Sequence, residues 1–98
     1  MNTRMPGDTV RYFLSYRGVR LPLALADELE PAALQHRGTY FRAHYDAAGL
    51  LIRCEKLVYG EVELEHVYEY DPRGQLTVAT VTAAGDEPRT LTFGATPS

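Results

Sequence analysis

The two stretches that decide the fold are YDAAGLL at residues 45–51 and YDPRGQL at residues 70–76, which share the pattern Y-D-x-x-G-x-L. The Asp can accept hydrogen bonds from backbone N–H groups at the start of a turn, and the Gly supplies a positive φ that a side chain would strain. Each copy therefore predicts a tight antiparallel hairpin, built on a type I turn with Gly as the bulge residue. This geometry places Tyr45 opposite Leu51 and Tyr70 opposite Leu76.

Apolar and polar residues alternate along most of the remaining chain, which is typical of strands. The segments predicted as strands are 10–16, 19–23, 39–46, 50–58, 61–70, 76–82 and 89–93. A short helix is predicted over residues 31–37, because Pro31 suits the first helical position and Gly38 suits the residue just past a helix end. Residues 24–29 could form another helical turn or an irregular crossing segment, and the sequence does not choose between them.

The fold class expected from this pattern is mainly β (α+β): an antiparallel meander of six or seven strands with one short helix between the second and third. The sheet could be open, a half-barrel or a closed small barrel. A chain of 98 residues has room for one domain, which is expected at residues 9–94, with disordered ends at 1–8 and 95–98. Because an open sheet leaves two edges and apolar surface that one short helix cannot cover, a homodimer is also expected.

Composition narrows the possible partners. A net charge of −3 argues against nucleic acid, whose phosphates require clustered Lys and Arg. No apolar run approaches the ~20 residues of a membrane helix. A single cysteine, Cys54, fits a reducing compartment such as the cytoplasm. The three histidines, at positions 36, 44 and 66, show no zinc spacing. No catalytic residue, metal site or cofactor is predicted.

One polar group stands out on the predicted sheet. A two-residue turn at residues 59–60 would place Arg53 opposite His66 and Glu55 opposite Leu64, all on an apolar face. Buried charges must be paired or change their protonation state, so two interpretations remain open. In the first, Arg53 orients an anionic or carbonyl ligand, His66 moves a proton and Glu55 fixes the histidine tautomer. In the second, Arg53 and Glu55 form an ion pair at the sheet rim, and His66 is a hydrogen-bonded core histidine.

Three tyrosines belong to the same predicted face and could form a stacking platform for planar ligands. Tyrosine also fills half-buried sheet surfaces while keeping its hydroxyl at the edge, so a role in the core is the favoured interpretation. The candidate ligand-binding set is therefore Arg53, Glu55, His66, Tyr45, Tyr68 and Tyr70.

The two Y-D-x-x-G-x-L units resemble the YD repeats of RHS-type proteins, in which tandem hairpins build a long β-sheet shell. Two units imply the hairpin geometry but no shell function. The whole chain resembles small bacterial proteins of uncharacterised family. Because the sequence has fold-defining features without a complete catalytic set, we expect a non-enzymatic accessory protein that binds a protein partner through its β-sheet. The alternative is a small-ligand-binding protein or enzyme, with its pocket on the Tyr-rich face around Arg53, Glu55 and His66.

Overall fold

A computed structural model describes residues 8–18 and 20–93 and contains seven strands with one short 3₁₀ helix. The strands are β1 (Thr9–Arg17), β2 (Ala24–Leu29), β3 (Thr39–Tyr45), β4 (Leu51–Val58), β5 (Glu61–Tyr70), β6 (Leu76–Ala83) and β7 (Arg89–Thr92). The helix, Pro31–His36, lies between the second and third strands as predicted, and none of its residues is buried.

All strands pair antiparallel in one sheet of order β2-β1-β3-β4-β5-β6-β7. The predicted mainly β fold is thus confirmed, and the sheet is open, with β2 and β7 at its edges. From β3 onward the strands follow one another as a meander, whereas β2 lies on the far side of β1. The predicted ends at 1–8 and 95–98 lie outside the described residues, apart from Asp8. No helix among the described residues is long and apolar enough to cross a membrane.

The prediction for the second strand was wrong. Residues 20–23 form no strand, and Val19 lies outside the described residues, whereas residues 24–29 form β2. Pro22 cannot donate a backbone hydrogen bond to a neighbouring strand, which favours a loop. The segment ALADEL has helix-favouring residues, but its pairing with β1, from Tyr12 opposite Leu29 to Arg17 opposite Ala24, outweighs that weak preference.

Both Y-D-x-x-G-x-L hairpins form with the predicted geometry. The Asp46 carboxylate accepts the backbone N–H groups of residues 48 and 50, at 2.9 and 3.0 Å. Asp71 accepts those of residues 73 and 75 at the same distances. Gly49 and Gly74 both have φ of 85°. As predicted, Tyr45 lies opposite Leu51 and Tyr70 lies opposite Leu76. Farther from each turn, the register of the two strands shifts by one residue, so each hairpin also contains a β-bulge.

A further register shift between Lys56 and Leu57 in the β4–β5 pairing overturns part of the predicted register. Val58 lies opposite Glu61, as a two-residue turn at 59–60 requires, but Glu55 lies opposite Glu65 instead of the predicted Leu64. The extra residue here is Glu63 of β5, which has no partner in β4. The bulge after Leu51 adds a residue to β4 itself and reverses the face of the side chains beyond it. The faces assigned from sequence are therefore wrong for β4 from Arg53 onward.

The sheet has one well-packed face, here called the core face. Its buried hydrophobic cluster consists of Phe13, Phe41, Ala43, Leu51, Cys54, Tyr68 and Ala79. The loop at residues 20–23 and the start of β2 lie over this face, where Leu21, Leu23 and Leu25 pack against the cluster. The Leu23 N–H reaches the Tyr68 hydroxyl on β5, at 3.2 Å. On a flat sheet β2 and β5 would be about 19 Å apart, so the sheet must curl over its core face.

The opposite side, here called the outer face, carries Arg42, His44, Arg53, Glu55 and Leu57. This face is also partly buried, because Glu55 and Leu57 are only 6% and 4% exposed. Since Cys54 belongs to the core cluster, the side chains of its strand neighbours Arg53 and Glu55 point to the outer face. Burial on both faces is therefore built into this single sheet.

Candidate functional site

The predicted group of Arg53, Glu55 and His66 is divided by the sheet. His66 lies opposite Cys54 and shares the core face, whereas Arg53 lies opposite Val67 and Glu55 opposite Glu65. The bulges in β4 and β5 cause this change, because each moves the following side chains to the other face. Arg53 and Glu55 do not pair with each other, since Arg53 pairs with Glu65 and Glu55 with Arg42 and His44. The structure instead forms two separate polar groups, one on each face.

On the core face, His66 and Tyr68 form a buried neutral pair. The His66 Nδ1 atom lies 2.7 Å from the Tyr68 hydroxyl, which also accepts the N–H of Leu23. Burial lowers the pKa of His66 and raises the pKa of Tyr68, because both side chains are far less stable when charged away from water. The role of His66 as a hydrogen-bonded core histidine, one of the two interpretations from sequence, agrees with this geometry.

The other predicted tyrosines also lie on the core face. Tyr45 and Tyr70 pack at the margin of the buried cluster. The Tyr70 hydroxyl donates a 2.5 Å hydrogen bond to the backbone carbonyl of Leu51, and burial raises the pKa of Tyr70 to about 12. Tyr68 is only 3% exposed, so its ring cannot act as an open stacking surface. The Tyr-rich face is therefore occupied by the protein's own residues.

Cys54 lies beside this pair and is a buried free thiol. Burial, together with the nearby Glu55 carboxylate, raises its pKa to about 12. A thiol in this state is protonated at neutral pH and is a poor nucleophile. Cys54 therefore acts as a small apolar core residue.

On the outer face, the Glu55 carboxylate is the centre of a charged group. One of its oxygens, Oε1, accepts hydrogen bonds from Arg42 Nε at 2.8 Å and from His44 Nε2 at 2.9 Å. Burial alone would raise the pKa of Glu55, but the hydrogen bonds and charges of Arg42 and His44 outweigh it and hold that pKa below its usual range. The Arg42 and His44 side chains remain 32% and 27% exposed, so both keep contact with water.

Next to this charged group lies a shallow cleft of about 260 Å³, lined by residues that include Asp8, Val10, His44 and Arg53. The Arg53 guanidinium is half exposed and forms a 3.3 Å ion pair with Glu65. The cleft thus brings one predicted ligand-binding residue, Arg53, together with His44. His44 was not among the residues assigned to the site from sequence.

Two further surface features were missed from sequence. Tyr59, in the β4–β5 turn, has a positive φ of 48° and is 84% exposed. The sequence did contain an indication of this feature, because the first position of a two-residue hairpin turn favours Asn, Asp or Gly over an aromatic residue such as Tyr59. The other feature is the edge strand β7, which within the described residues pairs with β6 alone and whose four residues are all exposed. Two sheet edges were expected from sequence, but no binding role was assigned to this one. Every buried side-chain nitrogen and oxygen in the described residues has a hydrogen-bond partner, and those residues contain no group of His, Cys, Asp or Glu suited to a metal ion.

These features define a small single-sheet β protein with satisfied polar groups on both faces and an open sheet edge. A family model described as "Family of unknown function (DUF6156)" matches residues 5–98, and the chain belongs to that family. Comparisons with curated proteins and with solved structures found no match.

Proposed function

We propose that this protein is a non-enzymatic accessory protein that binds a protein partner by accepting an extended strand of that partner at β7. The observation that carries the proposal is that β7 pairs with β6 alone within the described residues and is exposed along its length. An unpaired strand presents a row of N–H and C=O groups on which another chain can add a strand.

The hydrogen bonds at the end of β7 indicate which groups are free to pair. The Phe93 N–H donates to the Thr77 carbonyl on β6, at 2.8 Å. The backbone N–H and C=O groups of successive residues in an antiparallel strand point in alternate directions. Those of Leu91 therefore also point toward β6, whereas those of Thr90 and Thr92 point away from the sheet. A partner strand would therefore pair with Thr90 and Thr92.

The opposite edge supports the choice of β7. On β2, Asp27 has a positive φ of 62°, which interrupts a regular edge ladder, and its carboxylate lies 3.3 Å from the Ser15 hydroxyl on β1. Glu28, in addition, pairs with Arg11. Local kinks and edge charges are common protections against strand addition. The segment RTLT of β7 has neither a kink of this kind nor an acidic residue.

Two further parts of the proposal follow from the same features. Without its partner, β7 can pair antiparallel with β7 of a second copy, so we expect a homodimer at high concentration. A cytoplasmic location fits the free, buried thiol of Cys54. The likeness of the two turns to YD repeats remains a prediction and adds no function.

The test uses two proline variants of β7. Thr90→Pro removes an outward N–H and should leave the fold intact, whereas Leu91→Pro removes a bond to β6 and should destabilise the sheet edge. Light scattering should detect wild-type dimers and monomeric Thr90→Pro protein. Affinity capture from host lysate, quantified by mass spectrometry, should recover partners with the wild type that Thr90→Pro fails to recover. Recovery of the same proteins by both would contradict the use of β7.

The alternative of small-ligand binding is favoured by one observation, the cleft that joins Arg53 and His44 on the outer face. Because the Tyr-rich core face is filled by the protein's own side chains, this alternative places the ligand in the cleft on the outer face. Thermal-shift screening against small carboxylates should then find a ligand whose effect disappears in Arg53→Gln. A ligand that stabilises both proteins equally would argue against this cleft.

A further inference from the structure

The β4–β5 turn carries an aromatic ring that the turn itself does not need. Tyr59 and Gly60 have φ of 48° and 83°, the two positive values of a type I′ turn. Asn is better suited than Tyr to the first of these positions, because bulky residues are strained in the left-handed region. With 84% of Tyr59 exposed, burial of its ring does not offset this strain.

Gly38 provides the surface on which the Tyr59 ring lies. A Cβ added at Gly38 would come within 2.6 Å of the Tyr59 Cε1 atom, closer than real contacts allow. The Tyr59 N–H also donates to the Gly38 carbonyl, at 2.6 Å. The absence of a side chain at residue 38 thus lets the ring rest on the backbone, with most of its surface in water.

Beside the ring lies a hollow of about 360 Å³ with apolar and acidic parts. Val58, Val62 and Ala84 supply apolar lining, and Val62 is 41% exposed. Glu61 and Glu63 also line the hollow. Glu63 makes only a long 3.4 Å pair with Lys56, and no ion pair to Glu61 forms within the described residues.

We infer that this hairpin tip binds an arginine-containing segment of a protein partner. The aliphatic part of an arginine side chain fits against Val62, while its guanidinium lies over the Tyr59 ring and close to the Glu61 carboxylate. Aromatic faces and carboxylates both attract a guanidinium, and its weak hydration lowers the cost of the contact. The inference rests on the proposed function, since it names the chemistry of a partner, but it does not involve the β7 edge.

The experiment measures binding of a blocked hexapeptide, acetyl-Gly-Arg-Leu-Arg-Leu-Gly-amide, by NMR titration of the backbone amides. The control peptide carries citrulline, which has the shape of arginine without its charge. We expect shift changes at residues 58–63 and 84, and an affinity at least tenfold higher for the arginine peptide. Tyr59→Phe should keep that affinity, because the ring is retained, and Glu61→Gln should lower it severalfold.

The decisive variant is Tyr59→Asn, which removes the ring and improves the turn. It should raise the Tm by about 4 °C while abolishing the preference for arginine. A lower Tm would show that Tyr59 serves stability, and an unchanged affinity would show that the ring is not used; either result overturns the inference. Equal binding of the two peptides by the wild type, or no binding, also overturns it. Because the peptide test does not depend on β7, its failure is distinguishable from failure of the Thr90→Pro test.

Discussion

The two faces of this sheet bury polar groups in different ways. On the core face, His66 and Tyr68 are buried in neutral form and hydrogen-bond to each other. On the outer face, Glu55 is buried as a carboxylate and is held by Arg42 and His44, whose side chains reach solvent. Neutral groups need only well-placed hydrogen-bond partners, whereas a buried charge needs opposite charges close by. The outer face can provide such partners because the Arg42 and His44 side chains, although on a central strand, still reach water.

The largest effect expected from this comparison is on the core face, at Tyr68. Tyr68→Ala should lower the free energy of unfolding by about 3–5 kcal/mol, because it leaves a cavity in the cluster and removes the partner of His66. Urea unfolding monitored by circular dichroism would measure the loss.

Tyr68→Phe is the matched control, since it keeps the ring and removes only the hydroxyl. It should cost about 1–2 kcal/mol, the effect of leaving the partly buried Leu23 N–H and the buried His66 Nδ1 without that partner. If Phe proved as costly as Ala, hydrogen bonding rather than packing would dominate the core face.

The next largest effect concerns the charged group on the outer face. Arg42→Met should cost about 2–3 kcal/mol, below the usual loss for a fully buried pair because the Arg42 side chain is partly exposed. The double variant Arg42→Met, Glu55→Leu should recover most of this stability, since it removes the buried charge together with its partner.

Arg53 provides the control for this experiment, because it forms another Arg–Glu pair on the same face. Its side chain is half exposed and its 3.3 Å pair with Glu65 is loose, so Arg53→Met should cost less than about 0.5 kcal/mol. Equal losses for Arg42→Met and Arg53→Met would mean that burial of Glu55 does not distinguish the two pairs.

Much of the fold could be predicted because its signals are local. Asp46, Gly49, Asp71 and Gly74 specify two turns through their own backbone conformations and hydrogen bonds. Pro31 likewise marks the start of the short helix. Strand β2 was missed, because a helix-favouring segment becomes a strand only through its pairing with β1.

The candidate site was harder to predict because it depends on register. The bulge after Leu51 and the register shift between Lys56 and Leu57 depend on packing across neighbouring strands, and no residue type in the sequence marks them. Each shift changes the face of the residues that follow. The sequence analysis expected Glu55 and His66 to be unusual buried polar residues, but it did not predict their partners. Glu55 pairs with Arg42 and His44, and His66 pairs with Tyr68.

The smallest expected effect is a change in how stability depends on pH. Burial lowers the pKa of folded His66 below its ordinary value of 6.5, so on acidification the unfolded chain binds this proton first. Stability should then fall as the pH decreases below 6.5. The Glu55 pKa is also lowered from 4.5 in the folded protein, so its contribution is complete above pH 4.5 and is lost as the pH falls further.

Variants at these two positions should separate the two pH ranges, and so separate the two faces. In urea unfolding at a series of pH values, His66→Gln should remove the decrease that begins near pH 6.5 and retain the one below pH 4.5. Glu55→Gln should remove the decrease below pH 4.5 and retain the one that begins near pH 6.5, and its free energy of unfolding should be lower than that of the wild type throughout. His36→Gln, on the exposed helix, is the control for the effect of a His-to-Gln substitution as such. If His66→Gln kept the decrease below pH 6.5, that decrease would come from another group. The lowered pKa of His66 would then not be the cause of the loss of stability in acid.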